Sequence, residues 1–342
     1  MPLLLELVVP TAHSNMDTFL ALLFGLLYGT NASPLVCREQ VCNGNADFCD
    51  RRYSNVSLIG THDSAFVGEV FVRATRNPST HSRADSKSLP QDPRVNQQKT
   101  LTEQLNAGIR FLQAQTHQLE NGTLEMCHTS CDLLDAGSLS AYLTTIKTWL
   151  DTHQDDVVTL LLVNGDNVPI SSFDQVFAST GLSSYAYTPP TNITTQLLPL
   201  DSWPTYSELI ANNTRIVMFL DSGANQTQVP YLLDEFTYFF ETPYDTTDPE
   251  FAQCDFDRPK GGTAEGRMYI VNHFLDVNVL DTGILVPDNA RVYQTNAATG
   301  NGSIGAQADL CTEKWGRRPN LVLVDMFDRG DVFTAQERLN TV

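Results

Sequence analysis

Positive charge is scarce in this chain. Its 342 residues carry 21 Lys and Arg against 40 Asp and Glu, a formal net charge of −19 at pH 7. Nucleic acid and strongly anionic membranes repel such a surface, less so in an acidic medium. Cysteine is sparse too: seven residues are too few for a small disulfide scaffold and suit a larger fold with a few staples. Spacing pairs Cys42 with Cys49, Cys127 with Cys131 and Cys254 with Cys311, leaving Cys37 odd. No internal repeat or break in composition marks a second domain, and the 42% hydrophobic content supports a sizeable core.

The apolar run Phe19–Tyr28 is too short to span a bilayer comfortably but has signal-peptide length, and Thr30-Asn31-Ala32 after it fits a cleavage site. Residues 1–32 are therefore read as a signal peptide and 33–342 as the mature domain. The usual positive flank is missing, because no Lys or Arg precedes Arg38. A start at Met16 and an N-terminal membrane anchor stay open as alternatives. Asn55, Asn121, Asn192, Asn212, Asn225 and Asn301 each have Ser or Thr two positions on, which fits an extracellular glycoprotein.

What is present is a series of short apolar runs that end in polar residues. Val56–Gly60, Ile109–Thr116, Leu124–Cys127, Val157–Val163, Ile216–Asp221, Met268–His273 and Leu321–Asp325 read as strands. Leu101–Ala107 reads as a helix closed by Gly108, and Leu139, Tyr142, Leu143, Ile146, Trp149 and Leu150 recur at helical spacing. Arg73–Lys99 reads as a long polar loop. Strands alternating with helices, with polar side chains after at least six of the strands, predict an α/β fold: a single-domain TIM-type (β/α) barrel of irregular build. A doubly wound sheet would gather such residues at one switch point.

Two strand ends carry histidines suited to acid/base work. Gly60-Thr61-His62-Asp63-Ser64 delivers an imidazole, a carboxylate and a hydroxyl together, and Cys127-His128-Thr129-Ser130-Cys131 sets the second imidazole in a tight Cys-bearing turn. A zinc site of Cys127, His128 and Cys131 is disfavoured because adjacent strand residues face opposite sides. Taken singly, His62, His128 and Asp325 also read as turn or cap residues.

Together with Cys42-Asn43-Gly44 through Cys49-Asp50-Arg51, Leu105–Gln113, Val271-Asn272-His273-Phe274 and Leu321–Asp325, these stretches resemble the phosphatidylinositol-specific phospholipase C-like phosphodiesterases, above all their secreted fungal members. The resemblance spans nearly the whole mature chain in order. It implies a two-histidine phosphodiesterase in which His62 is the general base and His128 protonates the leaving alcohol, giving a cyclic phosphate that water then opens. Asp63 would assist the leaving-group proton transfer, and Asp325 would orient an imidazole.

Phosphoryl transfer also wants positive charge near the equatorial oxygens. Relatives place carboxylates for a metal, or an Arg, on the second strand; here the corresponding positions are Gln113 and Gln115, and the fourth strand ends in Asn164 where a further carboxylate or Lys would be expected. These amides, with Asp221 and His273, are the expected substrate contacts, and a protonated His117 or His273 would supply part of the missing charge. Arg110 faces the other side by strand alternation. The expected partner is a phosphodiester small molecule or a phospholipid head group, with no nucleic acid, no metal or other cofactor, at most peripheral membrane contact, and a monomeric, secreted state. The alternatives are a weakened barrel that binds a phosphorylated lipid or sugar, and a secreted glycosidase, for which no strand-end Glu pair stands out.

Overall fold

The computed structural model describes residues 40–68, 95–190 and 197–341. The expected signal peptide, Cys37, most of the Arg73–Lys99 loop and the Asn192 sequon lie outside the described residues. The strands are β1 Leu58–Thr61, β2 Phe111–Gln118, β3 Leu124–Cys127, β4 Asp135–Ser138, β5 Val158–Asn164, β6 Ile216–Leu220, β7 Leu232–Asp234, β8 Phe239–Glu241, β9 Met268–Asn272, β10 Asp276–Asn278, β11 Leu285–Pro287 and β12 Leu321–Val324. The helices are α1 Leu101–Ala107, α2 Leu139–Thr152, α3 Ile170–Thr180, α4 Tyr206–Ala211, α5 Glu235–Tyr238, α6 Val292–Thr295, α7 Ile304–Trp315 and α8 Val332–Asn340.

Eight strands pair in parallel in the order β7-β6-β5-β2-β1-β12-β9-β8. The sheet curls with helices outside it, which is the expected α/β barrel. Its irregularity has a place: among the described residues no pairing joins β7 to β8, and the one-turn helix α5 connects them. The run Leu124–Cys127 is a strand as expected, but β3 pairs antiparallel with β2 and carries β4 outside the parallel path.

Alternation sorts the side chains into two layers. Ile59, Leu112, Leu160, Leu162, Val271, Val322 and Val324 face outward onto the helices, among them the apolar side of α2. Leu58, Phe111, Leu161, Val217, Phe219, Leu233, Phe239, Ile270, Leu321 and Leu323 face inward. Phe48, Tyr53, Trp203 and Tyr206 join this inner cluster. Tyr53 stacks on Trp203 and its hydroxyl reaches Thr159, so the segment before β1 plugs the end where the strands begin. Gly60 is required inside, because a Cβ there would lie 2.2 Å from the Phe111 ring.

Three bridges form as spacing predicts: Cys42–Cys49, Cys127–Cys131 and Cys254–Cys311. Thr100 and Glu103 make a capping box at the start of α1, and Gly108 closes it in the left-handed conformation, φ 113°.

Candidate active site

The inward ladders continue past the strand ends and deliver His62 after β1, Gln113 and Gln115 on β2, Asp221 after β6, Glu235 after β7, Glu241 at the end of β8, Asn272 on β9 and Asp325 after β12. All but Asp325 line one cavity of about 320 Å³, which His128, Asp63, Asp276 and Arg258 also border. Asp325 stands behind His62.

His62 is held on three sides. Its ring lies flat on Phe274, with centroids 3.7 Å apart and planes 1° from parallel. Its Nδ1 is 3.0 Å from Asp325 Oδ1, which also accepts a 3.1 Å bond from Asn96 Nδ2. Its Nε2 faces the Asp63 carboxylate, 3.5 Å from Oδ2. Burial by itself would lower the imidazole pKa; the charges of Asp63 and Asp325 outweigh it and raise it to about 9.

His128 sits between the Cys127–Cys131 bridge and Phe66, whose ring meets it edge to face at 5.1 Å. Its Nε2 is 3.3 Å from the same oxygen, Asp63 Oδ2. Asp63 is thus the meeting point of the two imidazoles, which come from strands far apart in sequence. It is fully buried and adopts a left-handed backbone, φ 47°, a strained choice for a non-glycine residue.

The second-strand amides explain how that strain is held. Gln113 Oε1 accepts from the Asp63 N–H at 2.7 Å. Gln115 Nε2 donates to Asp63 Oδ2 at 2.9 Å, while its Oε1 accepts from the Thr129 N–H. Both glutamines line the cavity, yet Gln113 Oε1 and both polar atoms of Gln115 are engaged in fixing Asp63 and the His128 turn. A divalent cation is poorly served at this position, because neutral amides already bound to protein are weak ligands for a hard ion. Among the described residues no group of three or more His, Cys, Asp or Glu is placed to hold a metal.

Two expected substrate contacts lie elsewhere. Asn164 stands on the outward register of β5 and ties its own loop, donating to Val168 O and Ser222 O and accepting from the Val168 N–H. His273 follows inward Asn272 and therefore points outward; it is fully buried, with its ring nitrogens 2.6 Å from Gln307 Oε1 and 2.7 Å from Thr295 O. Burial lowers its pKa, and its outward position keeps it out of the cavity, so it is not the charge donor the sequence suggested. His117 turns away as well, toward Asp166 at 3.0 Å. Arg110 is outside the cavity as expected, bound to Asp156 at 2.8 Å and stacked over Trp149.

Sequence reasoning missed the far wall. Arg258, from the segment between β8 and β9, is the one Arg or Lys among the described residues lining the cavity. It pairs with Glu241, lies over the Tyr244 ring at 4.5 Å and keeps a buried Nε with no partner. Glu235 is 1% exposed, and burial followed by the neighbouring Glu241 raises its pKa well above the carboxylate range. Burial and the charge of Asp325 raise Asp276 to about 7. Burial and the neighbouring carboxylates thus favour the protonated forms of Glu235 and Asp276. Strand-to-loop register was the available signal for Glu235 and Glu241; nothing local in the sequence marked Arg258 or Asp276.

The family model described as PI-PLC X 1 matches residues 48–83 and 77–340. A PI-PLC X domain-containing protein 1 from Arthroderma benhamiae is 47% identical over 304 residues, covering 89% of this chain and 90% of that protein. A protein from the same organism described as an uncharacterized secreted protein is 42% identical over 322 residues, covering 92% of this chain and 67% of the other. Among solved structures, a variant phosphatidylinositol-specific phospholipase C from Staphylococcus aureus superposes with a TM-score of 0.54 at 11% identity, covering 85% of this chain and 94% of that one, a likeness of fold. With its domain model matched from end to end of the barrel, the chain belongs to the PI-PLC X family.

Proposed function

We propose that the protein is a secreted phosphoric diester hydrolase or lyase that cleaves a phosphodiester carrying a neighbouring hydroxyl, such as an inositol phospholipid. The observation that carries this reading is the convergence of the His62 and His128 Nε2 atoms on one oxygen of Asp63 at the cavity. In its neutral form His62 takes the proton of the substrate hydroxyl, and the freed oxygen attacks phosphorus. The bond from phosphorus to the leaving alcohol breaks, and His128 gives that alcohol its proton. A cyclic phosphate results, which water opens with the two histidines exchanging roles. Asp325 orients His62 and stabilises its charged form, as a carboxylate does for other catalytic histidines. Asp63 holds both rings.

Arg258 is the cation that borders the cavity on the side of an anionic ligand, where it pairs with Glu241. A glycosidase reading is disfavoured, because the Glu241 carboxylate is engaged by Arg258 and Asn272 and is not free to act as one of a catalytic pair. The secreted state is supported by three disulfides and by the exposure of Asn55, Asn121, Asn212, Asn225 and Asn301. Among the described residues no helix is long and apolar enough to cross a membrane.

The test is release of a cyclic phosphate from inositol phospholipid in the presence of a chelator, abolished by His62→Ala and by His128→Ala. Tight binding of phosphate esters with no turnover between pH 4 and 8 would instead support a binding protein on the same barrel.

A further inference from the structure

A second, much smaller cavity lies against Asp325. It has about 10 Å³, room for one water-sized sphere, and Phe274, Asp288, Asn289, Thr295, Asn296 and Asp325 border it. Among the described residues seven buried side-chain polar atoms have no hydrogen-bond partner. Three of the seven belong to residues around this one cavity: Asp325 Oδ2, Asn289 Oδ1 and Asn296 Oδ1. All three are acceptors. A buried acceptor without a donor is costly, and each such atom in a native fold calls for an account. Three around one small cavity point to a single occupant that serves them together.

The oxygens are held in place by what surrounds them. Asn296 is 1% exposed, and its Nδ2 donates to Asp325 O at 2.8 Å and to Met326 O at 3.1 Å, which fixes the amide and leaves its oxygen at the other end. Gly330 backs it closely: a Cβ there would lie 2.8 Å from Asn296 Cβ. Asp325 Oδ1 accepts from Asn96 Nδ2 at 3.1 Å and faces His62 Nδ1 at 3.0 Å, so Oδ2 is the oxygen left over. Asn289 lies on the segment after β11, which the Asp288 N–H ties to Leu275 O at 2.7 Å. The Asp288 carboxylate itself is 3.8 Å from Arg291.

We infer that this cavity is a binding site for a monovalent metal cation of potassium's size, held by Asp325 Oδ2, Asn289 Oδ1 and Asn296 Oδ1. Ligand chemistry selects the occupant. Water has two protons to give and would leave one of the three acceptors unserved, whereas a cation satisfies all three and compensates the buried carboxylate. The donors are all oxygens, which suit a hard ion. Their formal charge is low: two amides and one carboxylate whose other oxygen is already engaged by His62 and Asn96. A divalent ion is undercompensated there, while oxygens of carbonyl type are the ligands that replace the hydration shell of potassium. The ion ties Asp325 to the Asn289–Asn296 segment and so holds its Oδ1 on His62. The site is reached from the oxygen of Asp325 that His62 does not use, and it is separate from the Gln113 and Gln115 positions. It stands apart from the phosphodiesterase reading, since binding needs no turnover.

The experiment melts the full chain in potassium chloride and in an equal concentration of tetramethylammonium chloride, whose cation is too large for the cavity. The melting temperature should be higher in the potassium salt by about 2 °C or more, and EDTA should leave that increment in place. Asn289→Leu should melt no lower than the wild type in tetramethylammonium chloride, because it deletes an unpaired oxygen, and should lose the potassium increment. In wild-type crystals grown with thallium(I), an ion of potassium's charge and similar size, an anomalous peak should stand within coordinating distance of the three oxygens; should the variant fold poorly, this peak decides alone. Equal melting in the two salts, an increment that EDTA removes, an increment kept by Asn289→Leu, or a cavity that holds only water in the thallium crystals would each overturn the inference. Absence of any phosphodiester cleavage would instead sink the phosphodiesterase reading and leave the melting and crystallographic results standing.

Discussion

The ends of β1 and β9 each present a histidine just beyond a buried parallel strand, and the two have opposite fates. His62 stands on the inward register, against Phe274 and between two carboxylates, and its pKa rises to about 9. His273 stands on the outward register, enclosed by Phe251, Gln307 and the Thr295 carbonyl, and its pKa falls. Burial pushes both in the same direction; the neighbours decide the outcome. A strand-end histidine is therefore a site candidate only once its register and its partners are known.

Exchanging each ring for a methyl group tests this contrast most strongly. His62→Ala should lower turnover by about 10³-fold, within the range of a lost general base, while the fold persists. His273→Ala should leave turnover within a few-fold but destabilise the protein by about 2–4 kcal/mol, since it opens a buried void and removes the ring that is hydrogen-bonded between Gln307 and the Thr295 carbonyl. Steady-state kinetics beside thermal unfolding separates the two, and matched activity losses would dissolve the comparison.

pH provides the next test. A raised histidine pKa means that the native state favours the protonated ring, so the stability it contributes is complete below its unfolded pKa, near 6.5, and is lost as pH climbs to about 9. The span corresponds to a change on the order of 3 kcal/mol. Asp276 acts in the same direction at lower pH: with its pKa raised from 3.8 to about 7, it favours the protonated native state and costs stability as pH rises through that interval. The protein should therefore melt at a higher temperature at pH 5 than at pH 9. His62→Asn should flatten the upper part of that dependence, and His273→Asn should leave it in place. Activity should rise with pH toward the His62 pKa, because a base must first lose its proton.

Asp325→Asn addresses the partner instead of the ring. It removes one of the charges that hold His62 protonated and should move the ascending limb of the pH–activity profile to lower pH, with a fall in turnover of about 10²-fold. A merely structural aspartate would change the rate without moving the limb.

The barrel was legible because its signals are strong: strand runs ending in polar residues, the Leu101–Ala107 helix with its Gly108 stop, and cysteine spacings that allow short bridges. Within the site, the pairing of His62 with Asp63 and Asp325 followed strand ends and family order. The errors also follow a rule. Alternation that removes Arg110 from the cavity removes Asn164 and His273 as well, since Leu161 and Val163 on β5 and Asn272 on β9 already occupy the inward register. Arg258 and Asp276 were illegible for a different reason: both lie off the parallel strands, and long-range folding brings them to the cavity. β7 and β8 have only three residues each, too few for a periodic pattern to emerge.

The smallest expected effect separates two disulfides and returns to the second histidine. Cys254–Cys311 spans 57 residues and Cys127–Cys131 spans 4. Loop-closure entropy then assigns about 4 kcal/mol of stability to the first and about 2 kcal/mol to the second. Activity should rank them the other way. The short bridge brackets His128 and the strained Thr129, φ 63°, whose N–H donates to Gln115, so its loss frees the ring that must meet Asp63. Replacing Cys127 and Cys131 by Ser should cost several-fold in turnover with a modest drop in melting temperature. Replacing Cys254 and Cys311 by Ser should lower the melting temperature further and leave turnover of the folded fraction nearly unchanged, because that bridge joins the segment after β8 to α7, away from both imidazoles. Equal kinetic losses from the two pairs would mean that the Cys127–Cys131 turn is ordinary scaffolding and that Asp63, Phe66 and the Thr129 hydroxyl hold His128 without it.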